Sequence, residues 1–110
     1  MLLQECKVIV TGGPTREWID PVRFISNPST GKMGAAIADA SASRSRETVF
    51  IHGPVGDALI TGKRYRCVSA NTTGEMLEAV VSELEEKSVL IMAAAPADYS
   101  PAHRSVRKMK

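Results

Sequence analysis

Four runs of apolar residues along the chain predict four buried β-strands. The first, KVIVTGG (7–13), is rich in β-branched side chains and stops at two glycines, and the last, SVLIMAAA (88–95), is apolar throughout. An apolar run without alternation is typical of a strand covered on both faces of a parallel sheet, so we expect the last strand to be central. The two runs between them are ETVFIHGP (47–54) and the alternating YRCVSAN (65–71).

Apolar residues at helical spacing predict a first helix within STGKMGAAIADASASR (29–44). Its buried face is predicted by four residues at positions i, i+3, i+4 and i+7, namely Met33, Ala36, Ile37 and Ala40. Either Ser29 or Thr30 is placed to cap the helix, because a hydroxyl at this point can accept a bond from an unpaired backbone N–H.

A second helix is predicted within TTGEMLEAVVSELEEK (72–87), where Thr72 and Glu75 have the spacing of a capping box. Its buried stripe is predicted to consist of Met76, Leu77, Val80, Val81 and Leu84. The order of strands and helices predicts an α/β fold: a Rossmann-like open parallel sheet with helices on both faces, in three layers. Residues 1–110 make a single domain in this interpretation.

Composition narrows the classes of function. A hydrophobic fraction of 44% and a charged fraction of 24% are those of an ordinary globular domain. The cations of the last seven residues, RSVRKMK, are too few to predict nucleic-acid binding. No apolar run is long enough to cross a membrane, and the two isolated cysteines suggest a reduced, cytoplasmic location rather than a zinc site.

The candidate site lies at the carboxyl ends of the first and last strands, in TGGPTRE (11–17) and AAAPADYSP (93–101). Ligands of open α/β sheets bind beyond the carboxyl ends of the strands. The first of these segments lacks the G-x-G-x-x-G spacing, and His52 and Gly53 stand where a ribose-binding carboxylate would end the second strand. Ordinary NAD binding is therefore disfavoured. We assign no role to His52 or His103.

A loop of about 15 residues, from Thr15 to Ser29, is unusually long for a strand–helix connection, and its apolar residues argue against disorder. It leads into SNPSTGKMG (26–34), which is not a Walker A loop, because Met33 stands where that motif has Ser or Thr. The proline after Asn27 favours an extended backbone there, so that the amide projects from the loop. Backbone N–H groups of Ser29, Thr30 and Gly31 at the helix start then offer an anion site.

The sequence resembles phosphopantothenate–cysteine ligase, which is often one half of a bifunctional coenzyme A biosynthesis flavoprotein. The residues that carry the resemblance are TGGPTREWIDPVRFISNPSTGKMG (11–34), followed by AAAPADYSP and KMK (108–110). The similarity runs from Lys7 to Lys110. The resemblance implies a Rossmann-like homodimer that uses CTP, with ATP as a possible substitute, and Mg²⁺. It also implies that the carboxylate of 4′-phosphopantothenate attacks the α-phosphate and that cysteine then displaces CMP.

By position, the resemblance implies that Asn27 holds the acyl-nucleotide intermediate and that Lys108 drives its formation. It implies that Asp98 contacts the nucleotide or its metal. The remaining nucleotide-binding positions that it implies are Gly12, Gly13, Ser29, Thr30, Gly31, Ala94 and Ala95.

The sequence departs from the family at Thr30 and Pro96, and it stops at Lys110, whereas the family domain continues for about as many residues again. We therefore expect an N-terminal, truncated part of the domain. Two alternatives stay open: an inactive nucleotide-binding or dimerisation fragment, and a nicotinamide-dependent reductase. Asn27 and Asp98 could also be turn residues, Lys32 a surface lysine and Lys108 part of a solvated tail.

Overall fold

The computed structural model describes residues 2–110. Short 3₁₀ turns cover Leu3–Glu5 and Asp57–Leu59. The regular elements, in chain order, are β1 (Lys7–Gly12), β2 (Glu17–Trp18), β3 (Phe24–Ile25), α1 (Lys32–Ala42), β4 (Glu47–His52), β5 (Arg66–Ser69), α2 (Thr73–Glu83) and β6 (Ser88–Met92).

Four strands form a parallel sheet in the order β5-β4-β1-β6. β1 lies inside it, and Lys7 is in register with Glu47 on one side and Ser88 on the other. Successive strands β1, β4 and β5 run toward one edge, and β6 returns to the opposite side of β1. The order therefore reverses between β1 and β6, the place where open α/β sheets bind ligands.

Two separate cores confirm the three-layer arrangement. Alternate residues of β1 point to opposite faces: Ile9 packs with Met76 and Val80 of α2, and Val8 and Val10 belong to the core that contains α1. The predicted α/β fold with an open parallel sheet and helices on both faces is confirmed.

The predicted buried face of α1 is largely wrong: of its four members, only Ile37 is partly buried against the core. The buried residues of α1 are the small ones, Gly34, Ala35, Ala38 and Ser41, whereas Met33 is 72% exposed. The reason is the close approach of α1 to β1: a Cβ atom built on Gly34 would lie 2.8 Å from the Cα atom of Gly12. A larger side chain does not fit where the helix lies closest to the sheet, so small residues occupy that part of the buried face.

The start of α2 follows the prediction. The Thr72 hydroxyl accepts a hydrogen bond from the Glu75 backbone N–H at 3.0 Å, and the Glu75 carboxylate accepts one from the Asn71 N–H. The predicted buried stripe is only partly correct: of its five members, only Met76 and Val80 are buried. The other members are exposed: Leu77, Val81 and Leu84.

The position of β6 differs from the prediction of a central strand. Within residues 2–110, β6 pairs only with β1 and forms an edge of the sheet. Its Leu90 and Met92 line an open apolar groove together with Leu77 and Val81 of α2. The exposed half of the α2 stripe and the exposed strand edge are thus parts of one surface. No helix among residues 2–110 has the length and apolar character needed to cross a membrane.

We predict that Gly34→Ala destabilises the protein by about 1–3 kcal/mol, because the added methyl group cannot fit between α1 and β1. Gly74→Ala is the matched control: a Cβ atom there meets only the Thr72 hydroxyl, at 3.9 Å. The control should be neutral or stabilising by up to about 1 kcal/mol. Urea unfolding measures both changes, and equal stability of the two variants would contradict the close approach.

Candidate nucleotide site at the switch point of the sheet

The crevice at the switch point is built from backbone that continues beyond β1 and β6. The Ala93 N–H donates to the Thr11 carbonyl at 3.1 Å and the Ala95 N–H to the Gly13 carbonyl at 2.9 Å. Pro14 and Ala95 form a further parallel bridge. The first and last strand ends, where the sequence predicts the site, are therefore in direct contact.

Two glycines bring the start of α1 against this crevice. Gly13 and Gly31 both have φ = 81°, a conformation that favours glycine. A Cβ atom on Gly31 would lie 3.4 Å from Gly13 and clash with the Val55 side chain. Gly12 lies one step deeper, against Phe50 and Gly34, where its lack of a side chain serves helix packing.

The predicted cap of α1 is partly correct. The N-cap residue is Gly31, which has no side chain to accept a hydrogen bond. The Thr30 hydroxyl instead accepts from the Lys32 N–H at 3.3 Å, and Ser29 is half-buried beside it. The reason is the left-handed backbone at Gly31, which the approach to Gly13 requires.

An open cleft of about 530 Å³ lies outside the start of α1. Arg16 and Lys32 bring two cations to it, and Ser29 and Thr30 bring two hydroxyl groups. Cations and hydroxyl donors beside a helix start suit an anionic ligand such as phosphate. Its other lining residues are Pro54, Val55, Gly56, Ala58 and Leu59.

Asn27 connects the long loop to the end of β6. Its side-chain Nδ2 donates to the Pro96 carbonyl at 2.9 Å. This bond fixes the amide of Asn27 next to the segment that contains Ala94, Ala95 and Asp98. Ala94 and Ala95 are half-buried, and Asp98 is exposed.

Thr15 and Glu17 hold the same region together, and the sequence interpretation missed both. Fully buried Thr15 accepts from the Ala97 N–H at 2.7 Å and lies 2.9 Å from the Thr73 hydroxyl. Glu17 accepts from the Thr73 backbone N–H at 2.9 Å. Polar residues within a few positions after the double glycine that ends β1 are a signal that could have found them.

Asp20 is the other missed residue. It is fully buried, and its Oδ1 accepts from the backbone N–H groups of Val22 and Arg23. Its Oδ2 accepts from the Arg23 guanidinium and from the Met109 N–H at 2.9 Å. The Met109 N–H, with further bonds from Val22 and Arg23, holds the pKa of Asp20 well below its ordinary value. The sequence Asp-Pro-Val-Arg is a local pattern that indicates a turn held by Asp20. No local pattern indicates that Met109 is a partner of Asp20.

Lys108, next to Met109, is exposed. The structure therefore brings Gly13, Gly31, Ala95 and Asn27 to one crevice. Lys108 instead lies on a segment that is hydrogen-bonded to the long loop at Ser105 and Met109.

Within residues 2–110, no three His, Cys, Asp or Glu side chains lie close enough together to hold a metal ion. Mg²⁺ that arrives with a nucleotide is bound through the phosphates and needs only one or two protein carboxylates. The exposed carboxylate of Asp98 fits that limited requirement.

A family model for the C-terminal domain of DNA/pantothenate metabolism flavoproteins matches residues 3–110. The chain belongs to this family. It is 42% identical over 108 residues to the coenzyme A biosynthesis bifunctional protein CoaBC of Escherichia coli strain K12, a match that covers 98% of this chain and 26% of that protein. The chain thus spans about a quarter of the length of the curated relatives it matches.

Comparison with solved structures supports the same family. The C-terminal domain of CoaBC is 41% identical and superposes with a TM-score of 0.80, over 92% of this chain and 50% of that one. Cab2, solved as a variant in complex with phosphopantothenate-cysteine, has a TM-score of 0.73 over 97% of this chain and 50% of that chain. At 15% identity this second likeness concerns the fold alone. The resemblance seen in the sequence is confirmed at the level of the family.

Proposed function

We propose that this chain is the nucleotide-binding part of a phosphopantothenate–cysteine ligase domain that uses CTP. The observation that carries the proposal is the hydrogen bond from Asn27 to the Pro96 carbonyl. It joins the two motifs on which the family resemblance rests, across the switch point of the sheet. Membership of the family and the likeness to the CoaBC C-terminal domain support the same assignment.

In the proposed first step, a carboxylate oxygen of 4′-phosphopantothenate attacks the α-phosphorus of CTP. The bond between the α-phosphorus and the bridging oxygen breaks, and pyrophosphate leaves with both electrons of that bond. Charge develops on the α-phosphate, so the protein needs fixed cations and donors rather than a nucleophile of its own. We assign the cation to Lys108 and the donors to the backbone near Ser29, Thr30 and Gly31.

In the second step, the amine of cysteine attacks the acyl carbon, the bond from that carbon to the CMP oxygen breaks, and the amine loses a proton. Asn27 is suited to hold the acyl-cytidylate between the steps. One N–H of its amide is bonded to Pro96, which fixes the amide plane. An amide has a second N–H and an oxygen, and these can bind the intermediate.

The nucleotide lies, in this proposal, with its base near the backbone of Ala94 and Ala95 and its phosphates toward Gly13 and Gly31. Mg²⁺ would be held by the phosphates and Asp98, where it supplies positive charge. ATP is the alternative nucleotide. The complete enzyme is proposed to be a cytoplasmic homodimer, and the free cysteines Cys6 and Cys67 accord with a reducing compartment.

Calorimetric titration of the chain with CTP, ATP and NADPH, each with Mg²⁺, tests the nucleotide assignment. We expect saturable binding of CTP in preference to the other two. Preference for NADPH would replace the ligase by a reductase. Absence of binding would mean that these residues do not form a nucleotide site on their own.

We predict that Asn27→Ala lowers amide formation by about 100-fold or more in a complete ligase domain that carries these residues, while the fold persists. Loss of the bond to Pro96 alone costs about 1 kcal/mol of stability. Ser26→Ala is the matched control, since it changes the neighbouring side chain and leaves the amide in place. Unchanged turnover of the Asn27 variant would remove this residue from the mechanism.

Lys108→Gln should slow pyrophosphate release from CTP plus 4′-phosphopantothenate by about 10- to 100-fold, because it removes a cation from the developing charge on the α-phosphate. Lys110→Gln removes the same charge two residues away and should have little effect. A coupled assay of pyrophosphate measures both variants. Equal rates for the two would show that the effect is one of general charge in the tail.

A further inference from the structure

The tail that contains Lys108 is rich in cations and mostly exposed, yet it is fixed at two points. The Ser105 N–H donates to the Ile19 carbonyl at 2.8 Å. Four residues further on, the Met109 N–H donates to Asp20 Oδ2 at 2.9 Å, and the Arg23 Nη2 donates to the Met109 carbonyl at 2.6 Å.

The second tie is the stronger one. Asp20 and Arg23 hold both backbone polar groups of Met109, and the two side chains also bind each other through Nε and Nη2, at 3.1 and 2.9 Å. Asp20 is itself held by the backbone N–H groups of Val22 and Arg23. A fully buried carboxylate that accepts five such bonds has no freedom to turn.

The tie acts on the backbone next to Lys108. With the Met109 N–H fixed, the peptide plane that joins Lys108 to Met109 is fixed as well, so the direction in which the Lys108 side chain leaves the backbone is restricted. Asp20 and Asn27 lie on one loop, and Asn27 is bonded to the end of β6. The same loop therefore holds both the asparagine and the segment of the lysine.

We propose that Asp20, together with Arg23, is a positioning residue that places Lys108 beside the charge that develops on the α-phosphate. This inference rests on the proposed function of Lys108. Fixing a flexible lysine in advance reduces the entropy lost when the transition state forms, which is the usual gain from a preorganised site. Asp20 does not touch the substrate; it acts through the backbone of Met109.

Amide hydrogen exchange of the 110-residue chain tests the tie itself. Asp20→Asn replaces one carboxylate oxygen by an NH₂ group, which cannot accept from Met109 or Arg23. We expect exchange at the Met109 amide to rise by at least about tenfold, with core amides such as Val10 unchanged. Asp39→Asn is the matched control: its carboxylate binds Lys63 and Tyr65, away from the tail. Equal Met109 exchange in wild type and Asp20→Asn would overturn the proposal.

Should Asp20→Asn fail to fold, Arg23→Lys serves as the milder variant. It keeps the charge and removes the fork that binds Asp20 and the Met109 carbonyl together. Faster exchange at the Met109 amide, with core amides unchanged, is again expected. Unchanged exchange would overturn the proposal in the same way.

A double-mutant cycle in the complete ligase domain tests the positioning role. Asp20→Asn should lower pyrophosphate release by about tenfold in the wild-type background and should have no further effect on Lys108→Gln. An equal fall in both backgrounds would show that Asp20 acts independently of Lys108 and would overturn the inference alone. If the domain releases no pyrophosphate from CTP, or if Lys108→Gln is fully active, the proposed function fails first.

Discussion

The close approach of α1 to the end of β1 is the constraint on which the rest of the structure depends. Between helix and strand, Gly12 and Gly34 leave no room for a side chain. Gly13 and Gly31, which both have left-handed backbones, form a second close contact at the start of the helix. Because the helix starts so close to the sheet, its first residues line a cleft that is bordered by the segment after β4. The packing of the core and the geometry of the candidate phosphate site are thus consequences of the same four glycines.

The second organising feature is the long loop between β1 and α1. It carries a short β2–β3 hairpin, in which Trp18 and Phe24 meet edge to face, with the Arg16 guanidinium over Phe24. Beyond the hairpin it bonds Asn27 to the end of β6, and within it Asp20 bonds the Met109 backbone. The loop thus contacts the segment after β6 on one side and the segment around Met109 on the other, and it brings together residues that are far apart in sequence.

The sequence allowed prediction of the features that local patterns determine. The parallel strands follow from apolar runs, and the cap at Thr72 follows from a capping box, because both depend on near neighbours. The prediction of the buried face of α1 was largely wrong because alanines occur on both faces of the helix. Only the short distance to β1 determines that the face with Gly34, Ala35 and Ala38 is the buried one. The bond between Asp20 and Met109 spans 89 positions, so no local pattern indicates it.

The edge position of β6 bears directly on the proposed site. β6 is as apolar as a central strand, and its Leu90 and Met92 share an open groove with exposed residues of α2. Contiguous apolar surface of this kind is uncommon on a domain that has no partner there. The crevice that holds Ala95 and Asn27 opens at the end of this same strand, and the solved CoaBC domain is twice the length matched here. The apolar groove along β6 and the candidate crevice at the end of the same strand are therefore adjacent, so a partner that covers the groove would also border the crevice.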